Sequence, residues 1–201
     1  MRNIFHQKII SLPIITKIKK GFIMVETIVA VSIILMVVPA VLGMATKGIT
    51  LGTSAKSQMI ASYLASEGIE FIRNKRDSNL LRYQNGVSGA KWDDGFTPGG
   101  ASPMCKNNPC TINPLAAPSN IIQRCSGSLA TPSPCYRLYL DSFGFYSHDT
   151  GGQATQFYRG VSVIDAPGNS NEHLVTSTVV WSTAFSQKSL TVTDYITNWT
   201  Q

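Results

Sequence analysis

Charge is scarce in this chain: only 14% of its residues are Asp, Glu, Lys or Arg. The scarcity is uneven. No acid occurs from Met1 to Lys20, and no charge of either sign from Thr27 to Thr46. Histidine is scarcer still, and His6, His148 and His173 lie far apart in sequence, which leaves no spaced histidine set for a metal or triad centre. The phosphate-cradling G-x-x-x-x-G-K-[ST] loop, the dinucleotide G-x-G-x-x-G turn and the G-x-S-x-G elbow are all missing. These absences remove the motif-borne nucleotide and hydrolase chemistries. The expectation is a non-enzyme that needs no cofactor and no metal. The formal charge of +6 is also less than it looks. Five of the 17 basic residues (Arg2, Lys8, Lys17, Lys19, Lys20) precede Gly21, so the rest carries 12 basic against 11 acidic residues. That balance is not the electrostatic footprint of a nucleic-acid binder, and a nucleic-acid partner, though possible, is not indicated.

What is present begins at the same place. Thr27 to Thr46 is 20 residues long. As a helix at about 1.5 Å per residue it reaches about 30 Å, the thickness of a bilayer core. The leader charges all lie on one side of it, so the positive-inside rule keeps Met1 cytoplasmic and sends the C-terminal part outward. Glu26 stands at the start of this apolar run. An acid at the centre of a membrane helix costs roughly 2.5–3.5 kcal/mol on insertion scales, and intramembrane acids are functional candidates by default. The bland reading places Glu26 in the headgroups.

The string from Lys19 to Glu26 (Lys-Lys-Gly-Phe-Ile-Met-Val-Glu) ahead of that uncharged run resembles the type IV prepilin signature. The resemblance covers residues 17 to about 46. It implies cleavage after Gly21 by a membrane prepilin peptidase, with Phe22 as the new, N-methylated terminus and Glu26 as the family's acid. It also implies other pilin subunits, the pilus assembly machinery and the membrane (through residues 22–46) as partners. The destination would be a single-pass membrane protein that passes into a cell-surface filament. Physically, cleavage leaves a positive amine at Phe22 in apolar surroundings, and Glu26 of a neighbouring subunit can neutralise it and set the axial register. The first-turn position also suits an acid through the helix dipole, by about 0.3–1 kcal/mol. The stretch Ala61–Asp77 is similar, less specifically, to the post-membrane helix of PilV-like minor pilins. Pseudopilins of type II secretion or competence systems share the N-terminal motif. A membrane-anchored extracellular binding domain that never assembles is the alternative from another class.

Five segments follow: a leader over 1–21, a transmembrane or filament-core helix over 22–49, an amphipathic helix over 50–77, a loop region over 78–135 and an antiparallel sheet over 136–201. Pro39 removes a backbone bond inside the helix, and Gly43, Gly48 and Gly52 follow it. Pro39 and Gly43 therefore mark a kink, either static or a segment that bends during assembly. From Lys56 on, Ile60, Leu64 and Phe71, with Tyr63 and Ile72 beside them, recur at helical spacing. Glu67 and Glu70 can pair with Arg73.

Gly and Pro break the 78–135 region, which holds all four cysteines. An even count beyond a membrane anchor predicts disulfides in an oxidising exterior. Of three connectivities, the short separations favour Cys105–Cys110 and Cys125–Cys135. The stapled region reads as an exposed surface loop. Within it, Trp92-Asp93-Asp94-Gly95-Phe96 reads as a polar turn, with a calcium loop as the competing reading. Glu172-His173 reads as a solvated pair. Beyond Tyr136, runs rich in Val, Thr, Tyr and Trp (Phe157–Ile164, Leu174–Trp181, Leu190–Trp199) alternate with turn signals. They predict an antiparallel meander of four or five strands with Val161, Val163, Val175, Val179, Trp181, Val192 and Ile196 in its core. The expected fold is α+β: a long N-terminal helix, apolar in its first half and amphipathic in its second, packed on that sheet.

Overall fold

The apolar and amphipathic stretches run together into one helix. The computed structural model describes residues 20–96, 105–106, 108–116, 121–131, 133–183 and 186–199. Of the expected leader, only the backbone of Lys20 and Gly21 falls within them. The chain divides into two compact units, Met1–Leu51 and Gly52–Gln201. Helix α1 spans Lys20–Gln84, 65 residues, with Pro39 inside it.

In the first unit every side chain from Ile23 to Leu51 is exposed. The few hydroxyls in this stretch are satisfied by the helix itself. Ser32 Oγ donates to Ile28 O at 2.7 Å, Thr27 Oγ1 to Met24 O at 3.0 Å and Thr46 Oγ1 to Gly43 O at 3.0 Å. Such bonds to carbonyls three or four residues back leave little that needs water. Among the described residues this is one helix long and apolar enough to cross a membrane.

In the second unit the helix has a narrow buried face. Ala61, Leu64, Ala65, Gly68, Ile69 and Ile72 are all buried, at spacings of three and four. Tyr63, expected near that face, is 72% exposed, and Phe71 is half-buried. Small residues line the contact instead because helix and sheet come very close there. A Cβ at Gly68 would lie 2.6 Å from Ser177 Oγ and 3.0 Å from Val161 Cγ2. The helix also runs past its expected end at 77. Leu80 and Asn79 are buried, and Asn79 Nδ2 donates to Trp92 O and Asp94 O at 3.1 and 2.9 Å. A polar residue in a charged stretch gives no sign in sequence that it is tied down in this way.

Among the described residues the sheet has seven strands, all antiparallel; five of them lie beyond Tyr136, where four or five were expected, and two come before it. They are β1 (Cys110–Ile112), β2 (Ile122–Arg124), β3 (Arg137–Leu140), β4 (Tyr146–Ser147), β5 (Gln153–Ala166), β6 (Asn169–Ser182) and β7 (Gln187–Thr197). The long strands β5, β6 and β7 form the meander, in register from Phe157↔Trp181 to Asp165↔His173 and from Glu172↔Thr197 to Ser182↔Gln187. The β5–β6 turn is Pro167-Gly168, with Gly168 at φ +81°. Proline presets the first turn position, and glycine takes the left-handed one without strain. The other edge of β5 is shared: β3 pairs with it near Gln153–Tyr158, and β1 at Val161.

The extra strands β1 and β2 come from the region read as loop. Three residues each are too few to show alternation among the surrounding prolines. Their placement comes from covalent bonds nearby. Cys105–Cys110 and Cys125–Cys135 are disulfide-bonded, and Cys110 opens β1 while Cys125 follows β2. The region is less exposed than expected, because Cys105, Cys110 and Cys125 are buried. Cys125, Leu129 and Tyr136 cover the face of the sheet turned away from the helix, at Val180. Gly160 lets them in: a Cβ there would meet Leu129 Cδ1 at 2.4 Å and Pro109 Cβ at 2.8 Å. The expected core valines Val161, Val163, Val175 and Val179, with Trp181 and Ile196, are buried, whereas Val192 is half-buried at the core margin.

The narrow contact at Gly68 can be tested. Gly68→Val adds three carbons where one already collides, an overpacking of typically 1–3 kcal/mol that a better helix propensity does not offset. In the full chain in detergent micelles, the denaturant midpoint followed by tryptophan emission is expected to fall accordingly. An unchanged midpoint would show that helix and sheet do not meet so closely.

Candidate functional site

The sequence points to the N-terminal motif, and the backbone there is simple. Gly21 and Phe22 lie in the first turn of α1, and Glu26 follows four residues after Phe22, one turn on. Glu26 is exposed, as are its neighbours Val25 and Thr27. Pro39 and Gly43 both lie within continuous helix, and a Cβ at Gly43 would meet nothing within 4 Å. The motif is thus an exposed acid, one turn into an exposed apolar helix. What such a surface can do is set by whatever replaces water around it.

The second unit contains two clusters that the sequence did not disclose. The first surrounds Arg159 on β5, 1% exposed. Its Nη1 lies 2.5 Å from Glu67 Oε2 and 3.2 Å from Leu64 O, and its Nη2 donates to Ile112 O at 2.9 Å. One guanidinium thereby joins helix α1, β5 and β1. Burial pulls its pKa below the ordinary value, while the Glu67 carboxylate opposes that. Glu67 was expected to pair with Arg73. Arg73 pairs with Glu70, as expected, and at 2.7 Å with Asp194 on β7. The signal in the sequence was a lone cation in the strand Phe157–Ile164, on the same alternation as Phe157, Val161 and Val163.

His148 lies near this charge. Its Nδ1 is 3.1 Å from Arg137 O, and its pKa is pushed down to about 4, chiefly by burial and then by the Arg159 charge. A neutral imidazole there is consistent with a cation next to it.

The second cluster corrects two expectations at once. Trp92-Asp93-Asp94-Gly95-Phe96 is a turn, as expected, but Asp93 and Phe96 are buried in it, and His173 is not a surface residue. Phe96 is fully buried, and His173 is 2% exposed. The Trp92 ring stacks on His173 with centroids 4.6 Å apart and planes 20° from parallel, and Phe96 meets His173 edge-on at 6.4 Å. Asp93 Oδ2 lies 3.5 Å from His173 Nε2. Asp165 Oδ1 lies 3.4 Å from His173 Nδ1. Asp94 turns the other way and accepts from Lys91 N at 3.0 Å. The two aspartates thus diverge, which is not how a calcium loop converges its oxygens. Among the described residues no three His, Cys, Asp or Glu side chains form a metal-binding group.

His148 gives a pH dependence. Its folded-state pKa lies below the ordinary histidine value, so the unfolded chain takes up its proton first as pH falls. The contribution is therefore intact above about pH 6.5 and is lost between there and about pH 4. A shift of that size corresponds to something on the order of 3 kcal/mol. Urea titrations at pH 7 and pH 4.5 are expected to show a smaller acid loss in His148→Gln than in the unaltered chain. Equal losses would place the acid sensitivity elsewhere.

Compared with models of known families, with characterised proteins and with solved structures, the chain matches none.

Proposed function

We propose that this chain is a prepilin-like protein, a minor pilin or pilin-like subunit of a type IV filament. The reading rests on one observation above others. A basic leader ends in Gly21-Phe22, an acid follows at Glu26, and 20 uncharged residues come next in a helix whose side chains are exposed from Ile23 to Leu51. Each part has a use in this reading. The leader charges hold the N-terminus in the cytoplasm. The uncharged helix waits in the bilayer, which covers its apolar surface. Cleavage after Gly21 exposes the amine of Phe22, and N-methylation leaves its positive charge in place. On leaving lipid, the helix exchanges acyl chains for the helices of other subunits. The amine is then neutralised by Glu26 of a neighbour, and each residue of axial slip displaces that pair by about 1.5 Å. The disulfide-stapled, antiparallel head supports the reading in a general way, since it suits an oxidising exterior. In this reading the head supplies surface contacts for adhesion, motility or DNA uptake.

Two measurements test the reading. The N-terminal peptide of the membrane-extracted protein, made with and without the cognate prepilin peptidase, is expected to begin at Phe22 and to be heavier by one methyl group only when the peptidase is present. An intact Met1 peptide in both preparations would overturn it. Glu26→Val is expected to leave membrane insertion unchanged while lowering incorporation into filaments by about tenfold or more, the effect of losing roughly 1.4 kcal/mol. Unchanged incorporation would remove the register role.

A further inference from the structure

A buried imidazole between two carboxylates is poorly served when neutral. A neutral ring has one N–H and one lone pair, so it can donate on one side only. At His173 the other side would then turn a lone pair towards a carboxylate. The carboxylates lie 3.5 Å (Asp93 Oδ2) and 3.4 Å (Asp165 Oδ1) from its two ring nitrogens, and neither nitrogen is in a hydrogen bond. A second proton gives each nitrogen a hydrogen to donate, one towards each carboxylate. It also puts a cation against the face of Trp92, an arrangement that the ring quadrupole favours.

The partners belong to three separate stretches of chain. Asp93 and Trp92 come from the turn after α1, Asp165 from β5, and His173 itself from β6 opposite Asp165. Among the described residues the surroundings hold few other charged groups. Lys106 Nζ approaches Asp165 Oδ2 at 3.4 Å from outside. Asp94 is engaged with Lys91 N. Lys75 of α1 lies against the turn at Gly95. From β7 the residue opposite is Ile196. Glu172 precedes His173 on the strand and so projects to the opposite face.

The turn that carries Trp92 and Asp93 also forms one wall of a groove. The groove holds about 440 Å³ and is lined by Leu80 and Tyr83 at the end of α1, by Lys91, Trp92 and Asp93, and by Asn198. We propose that His173 is a proton-operated latch: a second ring proton ties the 91–96 turn to the sheet and so fixes the wall of this groove. The inference does not depend on the filament reading, because every residue in it lies in the second unit.

The test uses the full chain in detergent micelles between pH 8 and pH 5, a window above the titration of His148. Tryptophan occurs at 92, 181 and 199. Emission is expected to fall as pH drops, because an imidazolium stacked on an indole quenches it. The fall should vanish in both Trp92→Phe and His173→Gln. Over the same range amide exchange in the 92–96 turn, corrected for the intrinsic rate, is expected to slow about tenfold in the unaltered chain, the effect of about 1.4 kcal/mol. It should not slow in His173→Gln. Identical pH profiles for the unaltered chain and His173→Gln overturn the latch. Should His173→Gln fail to fold, Asp93→Asn keeps the side chain's shape and removes one charge. It is expected to abolish most of the slowing, and full slowing in that variant overturns the latch equally.

Discussion

Arg159 is a cation with almost no contact with water, held where three elements meet. Removing a guanidinium from water is costly, and the cost is offset only if charge and donors are matched. Here the match is divided: the helix supplies Glu67 and the Leu64 carbonyl, and β1 supplies the Ile112 carbonyl. Neither element could move away without stranding the charge. Ala61, Ala65 and Gly68 are buried on the same stretch of helix, and of the two short strands it is β1 that the cation holds. His148 beside it is kept neutral chiefly by its own burial and then by the Arg159 charge. Whether such a network adds net stability over an apolar replacement is a separate matter from what it specifies. It selects one angle and one register for the helix.

The helix itself presents two kinds of surface. Up to Leu51 its exposed surface is almost wholly apolar, and its hydroxyls bond back to its own carbonyls. From Ala61 onward it buries a stripe of small and aliphatic residues on a sheet. The change does not require a break in the backbone. The prolyl residue at 39 and the glycines that follow are absorbed within continuous helix. Only the side chains change, so one element is long and apolar enough to cross a membrane at one end and packs in a protein core at the other.

The parts of this architecture that were legible in sequence are those that repeat locally. Twenty uncharged residues announce an apolar helix, and alternating Val, Thr and Trp announce β5, β6 and β7. Short separations between cysteines also favoured the two disulfides that are present. What was not legible depends on residues distant in the chain. The burial of His173 is fixed by a turn some 80 residues earlier, so Glu172-His173 looked like a surface pair. Arg159 finds its partner at Glu67, across 92 positions. Tyr63 looked like part of the helix's apolar face, but at about 100° per residue it projects away from the stripe of Ala61, Leu64, Ala65 and Gly68 and is exposed. Strands β1 and β2 were hidden for a different reason: three residues are too short to carry a period.

The glycine at 68 has one more consequence, in time rather than in space. The sheet meander closes through a two-residue turn and another short connection, contacts of low sequence separation that form early. The helix face meets that sheet across more than a hundred residues, from Gly68 to Ser177. Loop closure over such a length carries an entropic cost that the local hairpins avoid. By that entropic measure the meander is expected to form first and the helix to dock later. On that order, a β-branched side chain at 68 is expected to act mainly as faster undocking and only weakly as slower folding.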